Sequence, residues 1–172
     1  YILGYVEFYG YNFLVKEGVL IPRQDTEIIV EEVIAHTNTE DRVLDMCTGS
    51  GCIGITIAKE TGAKVDLVDI SDAAIEVATD NNKALAANCH IIKSDLFDDI
   101  NGIYDIIVSN PPYIRSEVIP TLMEEVKDYE PILALDGYED GLYFYRRIIE
   151  ESTMHLTADG YIFFEIGCDQ GE

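Results

Sequence analysis

The chain has 172 residues, 48% of them hydrophobic, and a mean hydropathy of +0.06, which is typical of one packed domain and excludes a disordered chain. No apolar run approaches the roughly 20 residues of a membrane-spanning helix, so no membrane partner is expected. The formal net charge of −22 disfavours a nucleic-acid backbone as the partner. It favours a cationic ligand or a basic protein surface, or reflects a generally acidic surface.

Two short strands are predicted within residues 1–20, around a turn at Tyr9-Gly10-Tyr11-Asn12. A helix over residues 25–36 follows, with Asp25 or Thr26 as its N-cap. Beyond it, apolar runs of strand length alternate with helical patterns. The predicted elements are strand 42–46, helix 50–60, strand 64–69, helix 72–87, strand 90–93, strand 104–109, helix 116–126, helix 141–156 and strand 161–166.

This alternation predicts an α/β fold with a doubly wound, mostly parallel sheet, preceded by an N-terminal β-hairpin. We divide the chain into a hairpin and linker, residues 1–24, and one α/β domain, residues 25–172. The chain opens with neither Met nor a basic signal segment, so we expect a fragment of a cytoplasmic protein. The cysteines, which form no C-x-x-C pair, predict reduced thiols and no metal site; they are Cys47, Cys52, Cys89 and Cys168.

A turn of small residues, Cys47-Thr48-Gly49-Ser50-Gly51, follows the strand at 42–46. Its glycines allow a tight turn and let a ligand approach the backbone N–H groups, although an ordinary strand-to-helix turn has the same pattern. Because Cys47 stands where nucleotide-binding loops usually carry Gly, we expect its side chain to point away from the ligand or its φ to be negative. The absence of a basic residue beside the loop favours an adenosine ligand without phosphates.

Acidic residues end the next two predicted strands. Asp69, with Ile70 behind it, lies about 20 residues after the glycine loop, a spacing that predicts hydrogen bonds to both hydroxyls of a ribose. Asp95 is placed to pair with an adenine amine while Leu96 packs on the ring. A helix start and a strand-end turn, respectively, are the structural alternatives.

The strand at 104–109 runs into Asn110-Pro111-Pro112-Tyr113. Two consecutive prolines remove two N–H donors and stiffen the backbone, so this loop offers acceptors, an amide side chain and a ring. A rigid turn with a core tyrosine is the alternative. Since all these motifs follow the carboxyl ends of successive parallel strands, where ligands bind in doubly wound sheets, we expect them to form one site.

These motifs together resemble those of class I S-adenosylmethionine-dependent methyltransferases of the N-P-P-Y type, which have a Rossmann-like fold. Five further segments resemble the peptide chain release factor N5-glutamine methyltransferases, and the resemblance covers essentially the whole chain. These segments are 21–27, Glu130-Pro131 with Ala134-Leu135, Asp140-Gly141-Leu142, Tyr145-Arg146 and Glu165-Ile166-Gly167.

The resemblance implies that the protein transfers a methyl group from S-adenosylmethionine to the side-chain amide of the glutamine in the Gly-Gly-Gln motif of release factors, its protein partners. Asn110, Pro111, Pro112 and Tyr113 are the implied catalytic residues. Asn110 and the Pro111 carbonyl accept the two amide N–H bonds, and Tyr113 packs against the amide plane. S-adenosylmethionine, which leaves as S-adenosylhomocysteine, is the implied cofactor of Cys47, Thr48, Gly49, Ser50, Gly51, Asp69, Ile70, Asp95, Leu96 and Asn110.

Other assignments stay open. One alternative function is a nucleic-acid amino methyltransferase acting on adenine N6, cytosine N4 or guanine N2, because these targets are also planar amines that need acceptors. Another is a non-catalytic module that only binds adenosine. The roles of Arg23, Asp25, Glu27 and Glu130 are undecided. The family also has an N-terminal docking domain and further strands, so we expect an incomplete sheet with an exposed edge at strand 161–166.

Overall fold

A computed structural model describes residues 4–171, without the side chain of residue 125. It begins with the predicted hairpin, β1 (Tyr5–Phe8) and β2 (Tyr11–Leu14), whose pairing confirms the prediction for residues 4–20; the part of that prediction on residues 1–3 lies outside the described residues. Tyr9 and Gly10 both have positive φ, as the two central residues of a tight hairpin turn of this kind require.

The remaining strands and helices alternate as predicted. The strands are β3 (Arg42–Met46), β4 (Lys64–Asp69), β5 (His90–Lys93), β6 (Tyr104–Ser109) and β7 (Leu156–Phe164). The helices are α1 (Glu27–His36), α2 (Cys52–Thr61), α3 (Asp72–Leu85), α4 (Glu124–Lys127), α5 (Ile132–Leu135) and α6 (Tyr143–Ser152). Single 3-10 turns lie at Gln24–Thr26 and Ile119–Thr121.

Strands β3 to β7 form one parallel sheet in the order β5-β4-β3-β6-β7. The direction of winding reverses between β3 and β6, which opens a crevice beyond their carboxyl ends. Alternate side chains of β3 enter different cores: Val43 packs with α1 and α2, whereas Leu44 packs with Ile148 of α6. The doubly wound α/β fold is therefore confirmed.

The hairpin packs on the first of these cores. Phe8 and Phe13 are buried there, with an edge-to-face ring contact at a centroid distance of 5.9 Å. The Asn81 side chain of α3 bonds the backbone of β2 in both directions: its Oδ1 accepts from the Leu14 N–H and its Nδ2 donates to the Leu14 carbonyl. The hairpin is thereby attached to the helix that follows the second strand of the sheet.

Several predicted elements near the carboxyl-terminal half are wrong in their bounds. A single helix at 116–126 does not form, because Pro120 lacks a donor and Leu122 adopts an extended conformation between a 3-10 turn and α4. α6 is shorter than the predicted 141–156, and β7 begins at Leu156, five residues earlier than predicted. Helix α5 was not predicted at all.

Strand β7 lies at one edge of the sheet formed by the described residues, as expected. Helix α1 approaches it: the His36 ring lies 5.5 Å from the rings of both Tyr161 and Phe163, between centroids. Within residues 4–171, no helix has the length and apolar character needed to cross a membrane.

Candidate active site

The glycine loop between β3 and α2 is held by the neighbouring strand β4. The Thr48 N–H donates to the Val68 carbonyl at 2.9 Å, and the Gly49 N–H donates to Asp69 Oδ2 at 2.9 Å. Gly51, with φ of 83°, is the N-cap of α2 and turns the chain into that helix. The loop and the acidic end of β4 thus form one hydrogen-bonded unit at the carboxyl edge of the sheet.

Cys47 adopts a positive φ of 61°, which excludes the negative φ, one of the two alternatives expected for this residue. The other alternative, a side chain that points away from the ligand, stays a prediction. The left-handed conformation is uncommon for a residue with a Cβ, but the backbone bond of the following Thr48 to Val68 ties the loop to β4 in this geometry. The Cys47 side chain packs against the core on the α6 face of the sheet, and the residue also lines the cleft described below.

Asp45 lies fully buried beneath the loop, where its Oδ2 accepts from the Thr48 hydroxyl at 2.5 Å and from the Gly54 N–H at 2.9 Å. Its Oδ1 has no hydrogen-bond partner among residues 4–171. Burial, partly opposed by these two donors, raises the pKa of Asp45 to about 7. Gly54 is needed for this approach, because a Cβ there would lie 2.3 Å from Leu67 Cδ2.

Asp69 has an acceptor arrangement suited to a diol. Its Oδ2 accepts from Gly49 and its Oδ1 from the Ser71 N–H at 2.9 Å, which fixes the orientation of the carboxylate. Each carboxylate oxygen can accept a further hydrogen bond, so two hydroxyl donors can be bound side by side. Burial raises the pKa of Asp69, and the backbone N–H donors oppose that rise.

Beyond the end of β5, Leu96 is buried and lines the cleft. Asp95 has a partner that the sequence patterns did not indicate: its Oδ1 accepts from Arg147 Nη1 of α6 at 3.0 Å. Arg147 also bonds Glu151 on its own helix and lines the cleft. Arg147 and Asp95 are 52 positions apart in the sequence, and no local motif indicates that they are in contact.

The Asn110–Tyr113 loop leaves β6 beside the glycine loop, because Ser109 is paired with Met46 and its hydroxyl donates to the Met46 carbonyl at 2.6 Å. The end of α5 and the residues after it hold the far end of the loop: the Ile114 N–H donates to the Leu135 carbonyl, and the Gly137 N–H donates to the Ile114 carbonyl. A Cβ at Gly137 would lie 2.9 Å from the Pro112 carbonyl oxygen, so only glycine fits without a shift. The tertiary structure thus holds both ends of the proline pair.

Together these elements enclose a cleft of about 230 Å³. Arg23 and Glu130, whose roles were undecided, meet at its rim: Arg23 Nη2 lies 3.0 Å from Glu130 Oε1. Gly51, Pro111 and Tyr113 are not among its lining residues, and the Tyr113 phenol is half-buried with its pKa raised mainly by burial. The predicted site residues that line the cleft are Cys47, Thr48, Gly49, Ser50, Asp69, Ile70, Asp95, Leu96, Asn110 and Pro112.

The sequence of the cleft region matches a known family. A sequence model of the methyltransferase small domain matches residues 23–128, which include the glycine loop, Asp69 and the Asn110–Tyr113 loop. The chain belongs to the methyltransferase small domain family. Within residues 4–171 of this chain, no group of three or more His, Cys, Asp or Glu side chains is arranged to hold a metal ion.

A release factor glutamine methyltransferase of Clostridium acetobutylicum is 48% identical to this methyltransferase domain over 178 residues, a match that covers 99% of the chain. The match covers 62% of that protein, so the chain spans less than two thirds of the length of this relative. The resemblance to release factor glutamine methyltransferases that the motifs indicated is therefore confirmed.

Solved structures share the fold. A methyltransferase from Pyrococcus furiosus superposes with a TM-score of 0.70 at 18% identity, over 93% of this chain and 71% of that chain. A tRNA (uracil-54, C5)-methyltransferase from Pyrococcus abyssi, in complex with S-adenosyl-L-homocysteine, has a TM-score of 0.54 at 21% identity, over 63% of this chain and 28% of that chain. At these identities the likeness establishes the fold of the methyltransferase domain.

Proposed function

We propose that this methyltransferase domain transfers a methyl group from S-adenosylmethionine to the side-chain amide nitrogen of the glutamine in the Gly-Gly-Gln motif of peptide chain release factors. The observation that carries the proposal is the position of Asn110 and Pro112 in the wall of the cleft that also contains the glycine loop and Asp69. A methyl donor bound by the loop and an amine bound by Asn110 would share one cavity. The name of the 48% identical relative supports this substrate.

The residues present fit S-adenosylmethionine. Asp69 offers two oriented acceptors for the ribose hydroxyls, and buried Leu96 offers an apolar surface for the adenine. Gly49 lacks a side chain where the ligand must approach the loop, and its φ of 55° is easily adopted by glycine. When bound, this cofactor supplies an electrophilic methyl group on a cationic sulfonium, which agrees with the net charge of −22.

The acceptors at the end of β6 suit an amide nitrogen, a poor nucleophile whose lone pair is delocalised into its carbonyl. We assign the Asn110 side-chain oxygen and the Pro111 carbonyl to its two N–H bonds, and Tyr113 to the amide plane. Positive charge that develops on the nitrogen strengthens both hydrogen bonds in the transition state, so they accelerate the reaction. Orientation supplies much of the remaining rate, and the proton can leave after the methyl transfer without a strong base.

Release factors are thus the proposed partners, and the cytoplasm, where they act, is the proposed location. Neither nucleic acid nor a membrane is a proposed partner. We also propose that residues 25–172 form the catalytic domain and residues 1–24 a hairpin and linker attached to it.

The test supplies methyl-labelled cofactor with a release factor, with duplex DNA and with structured RNA, in separate reactions. We expect label on the release factor and a loss of at least about 100-fold in rate with Asn110→Ala, because one transition-state acceptor is removed. Asn101→Ala, which changes an exposed asparagine before β6, is the matched control and should retain the wild-type rate. Label on DNA or RNA and none on the release factor would favour the nucleic-acid amino methyltransferase instead.

A further inference from the structure

Glu165 follows the last residue of β7 and lies beside Asn110. Ser109 is paired with Phe164 in the parallel sheet, and the Glu165 N–H donates to the Ser109 carbonyl at 3.0 Å. Asn110 and Glu165 are therefore the next pair of neighbours along the carboxyl ends of β6 and β7. Paired residues of parallel strands project to the same face of a sheet, so these two side chains are expected on the same face. The Asn110 amide lies close enough to lower the pKa of Glu165.

The Glu165 carboxyl is in an unusual environment for an acidic group. Its Oε2 is buried and has no hydrogen-bond partner within the described part of the chain. Burial raises the pKa of Glu165, whereas the Thr26 hydroxyl and the Asn110 amide lie close enough to lower it in part. A buried acceptor without a partner destabilises the folded protein, so packing alone does not explain this carboxyl.

The side-chain amide of Asn110 can adopt two orientations, and a neighbouring carboxylate can select one of them. Its side-chain amide carries an acceptor oxygen and a donor NH₂ group of nearly the same shape, and only the oxygen can accept from the substrate amine. If the amide turned over, a donor would face a donor. A carboxylate on the side of Asn110 away from the cleft accepts only from the NH₂ group and therefore selects one orientation.

We propose that ionised Glu165 is a positioning residue, whose carboxylate accepts a hydrogen bond from the Asn110 NH₂ group and so directs the Asn110 oxygen into the cleft. This inference rests on the proposed function, in which Asn110 binds the amine. Glu165 itself does not line the cleft and does not touch the reacting atoms.

Protonation of Glu165 would weaken this device, because a carboxylic acid can donate to the Asn110 oxygen and hold the amide in the reverse orientation. Four titratable groups interact electrostatically with Glu165 from the surrounding elements: Asp25 before α1, Cys52 on α2, Tyr113 after β6 and Tyr145 on α6. The charge of Asp25 adds to the rise in the pKa of Glu165. We therefore expect the methylation rate to decrease when the pH is lowered far enough for Glu165 to take up a proton.

Kinetics of Glu165→Ala and Glu165→Gln with release factor test the inference. We expect Glu165→Ala to lower kcat by about 10- to 100-fold, the effect of losing one hydrogen bond to a charged group, with the affinity for S-adenosylhomocysteine within about threefold. Glu165→Gln can still accept from Asn110 and should recover part of the rate, without the acid limb of the pH profile. An unchanged kcat in both variants, or losses that only follow cofactor affinity, would overturn the inference.

A matched control separates positioning from general destabilisation. Asp66→Asn removes another mostly buried carboxyl, at 16% side-chain exposure, which bonds Tyr104 and Arg42 instead of the site. It should lower the thermal midpoint without changing kcat at temperatures where the protein is folded. If Asp66→Asn lowers kcat as much as Glu165→Ala does, the role of Glu165 is structural and the inference fails.

A measurement without substrate keeps this inference separate from the proposed function. The side-chain NH₂ resonances of Asn110, identified by their loss in Asn110→Asp, are followed by ¹⁵N NMR as a function of pH. We expect them to titrate with a midpoint above the ordinary glutamate value in the wild type and not in Glu165→Gln. If they titrate but no release factor is methylated, only the proposed function fails; if methylation occurs and they do not respond to Glu165, only this inference fails.

Discussion

Replacing Asp45 with asparagine should change how the stability of the protein depends on pH. Asp45 is fully buried, and within the described residues its Oδ2 accepts from Thr48 and Gly54 whereas its Oδ1 has no donor. Burial raises its pKa from 3.8 to about 7, so ionisation is opposed in the folded protein much more than in the unfolded chain. Asparagine has the same shape, can accept from both donors with its side-chain oxygen, and does not titrate.

The sign follows from proton binding. Because the pKa of Asp45 is higher in the folded state, its contribution to stability is fully present below the unfolded value of 3.8 and is lost as pH rises through about 7. One pKa unit corresponds to about 1.4 kcal/mol, so the whole difference is at most about 4 kcal/mol. Between pH 5 and pH 8 the wild type should lose about 3 kcal/mol of stability relative to Asp45→Asn.

Urea unfolding at pH 5, 6, 7 and 8, followed by circular dichroism, measures this difference in the free energy of unfolding. Titration of other buried acids, such as Asp69, is shared by both proteins and largely cancels. Asp72→Asn is the control, since that side chain is 86% exposed, and its pH dependence should parallel the wild type. A difference between wild type and Asp45→Asn that stays constant within about 0.5 kcal/mol over this range would refute the reasoning.

Two further predictions concern the same end of the sheet. Gly54→Ala places a Cβ 2.3 Å from Leu67 Cδ2 and 2.9 Å from Asp45 Oδ2, so it should lower the free energy of unfolding, measured in urea, by about 1–3 kcal/mol. Gly171→Ala is the control: the nearest atom to its Cβ lies 4.0 Å away, so this change should have no measurable effect. Asp69→Asn should weaken calorimetric binding of S-adenosylhomocysteine about 10- to 100-fold through weaker acceptors for the ribose, and an affinity within threefold of wild type would contradict that role.

Local patterns predicted the regular part of the fold well. The bounds of β4, β5 and β6 coincide with the predicted strands, because each is a short apolar run bounded by polar or turn residues. The segment from 116 to 141 was predicted poorly because its conformation depends on distant contacts. Ile114 bonds to Leu135 and Gly137, and these bonds, together with the break at Pro120, shape the connection.

The meeting of the glycine loop, Asp69 and Asn110 at one cleft was also predictable, since they follow strands whose parallel arrangement brings their carboxyl ends to one edge. The backbone conformation of Cys47 was not predictable, because its positive φ is adopted in a loop that the bond from the Thr48 N–H to the Val68 carbonyl ties to β4. Residue type alone left two alternatives at that position, and the structure excludes the negative φ.

The order of strand-forming and helix-forming segments and the chemistry of the turns between them follow from the amino-acid sequence, because each depends on neighbours a few positions apart. The candidate site residues were chosen from the same local motifs. The partners of those residues follow only from the tertiary structure. Arg23 meets Glu130 across 107 positions, Arg147 meets Asp95 across 52, and Glu165 comes beside Asn110 only because β6 and β7 pair. Hydrophobic periodicity and motif spacing do not predict such contacts, because long-range packing decides which distant side chains lie next to each other.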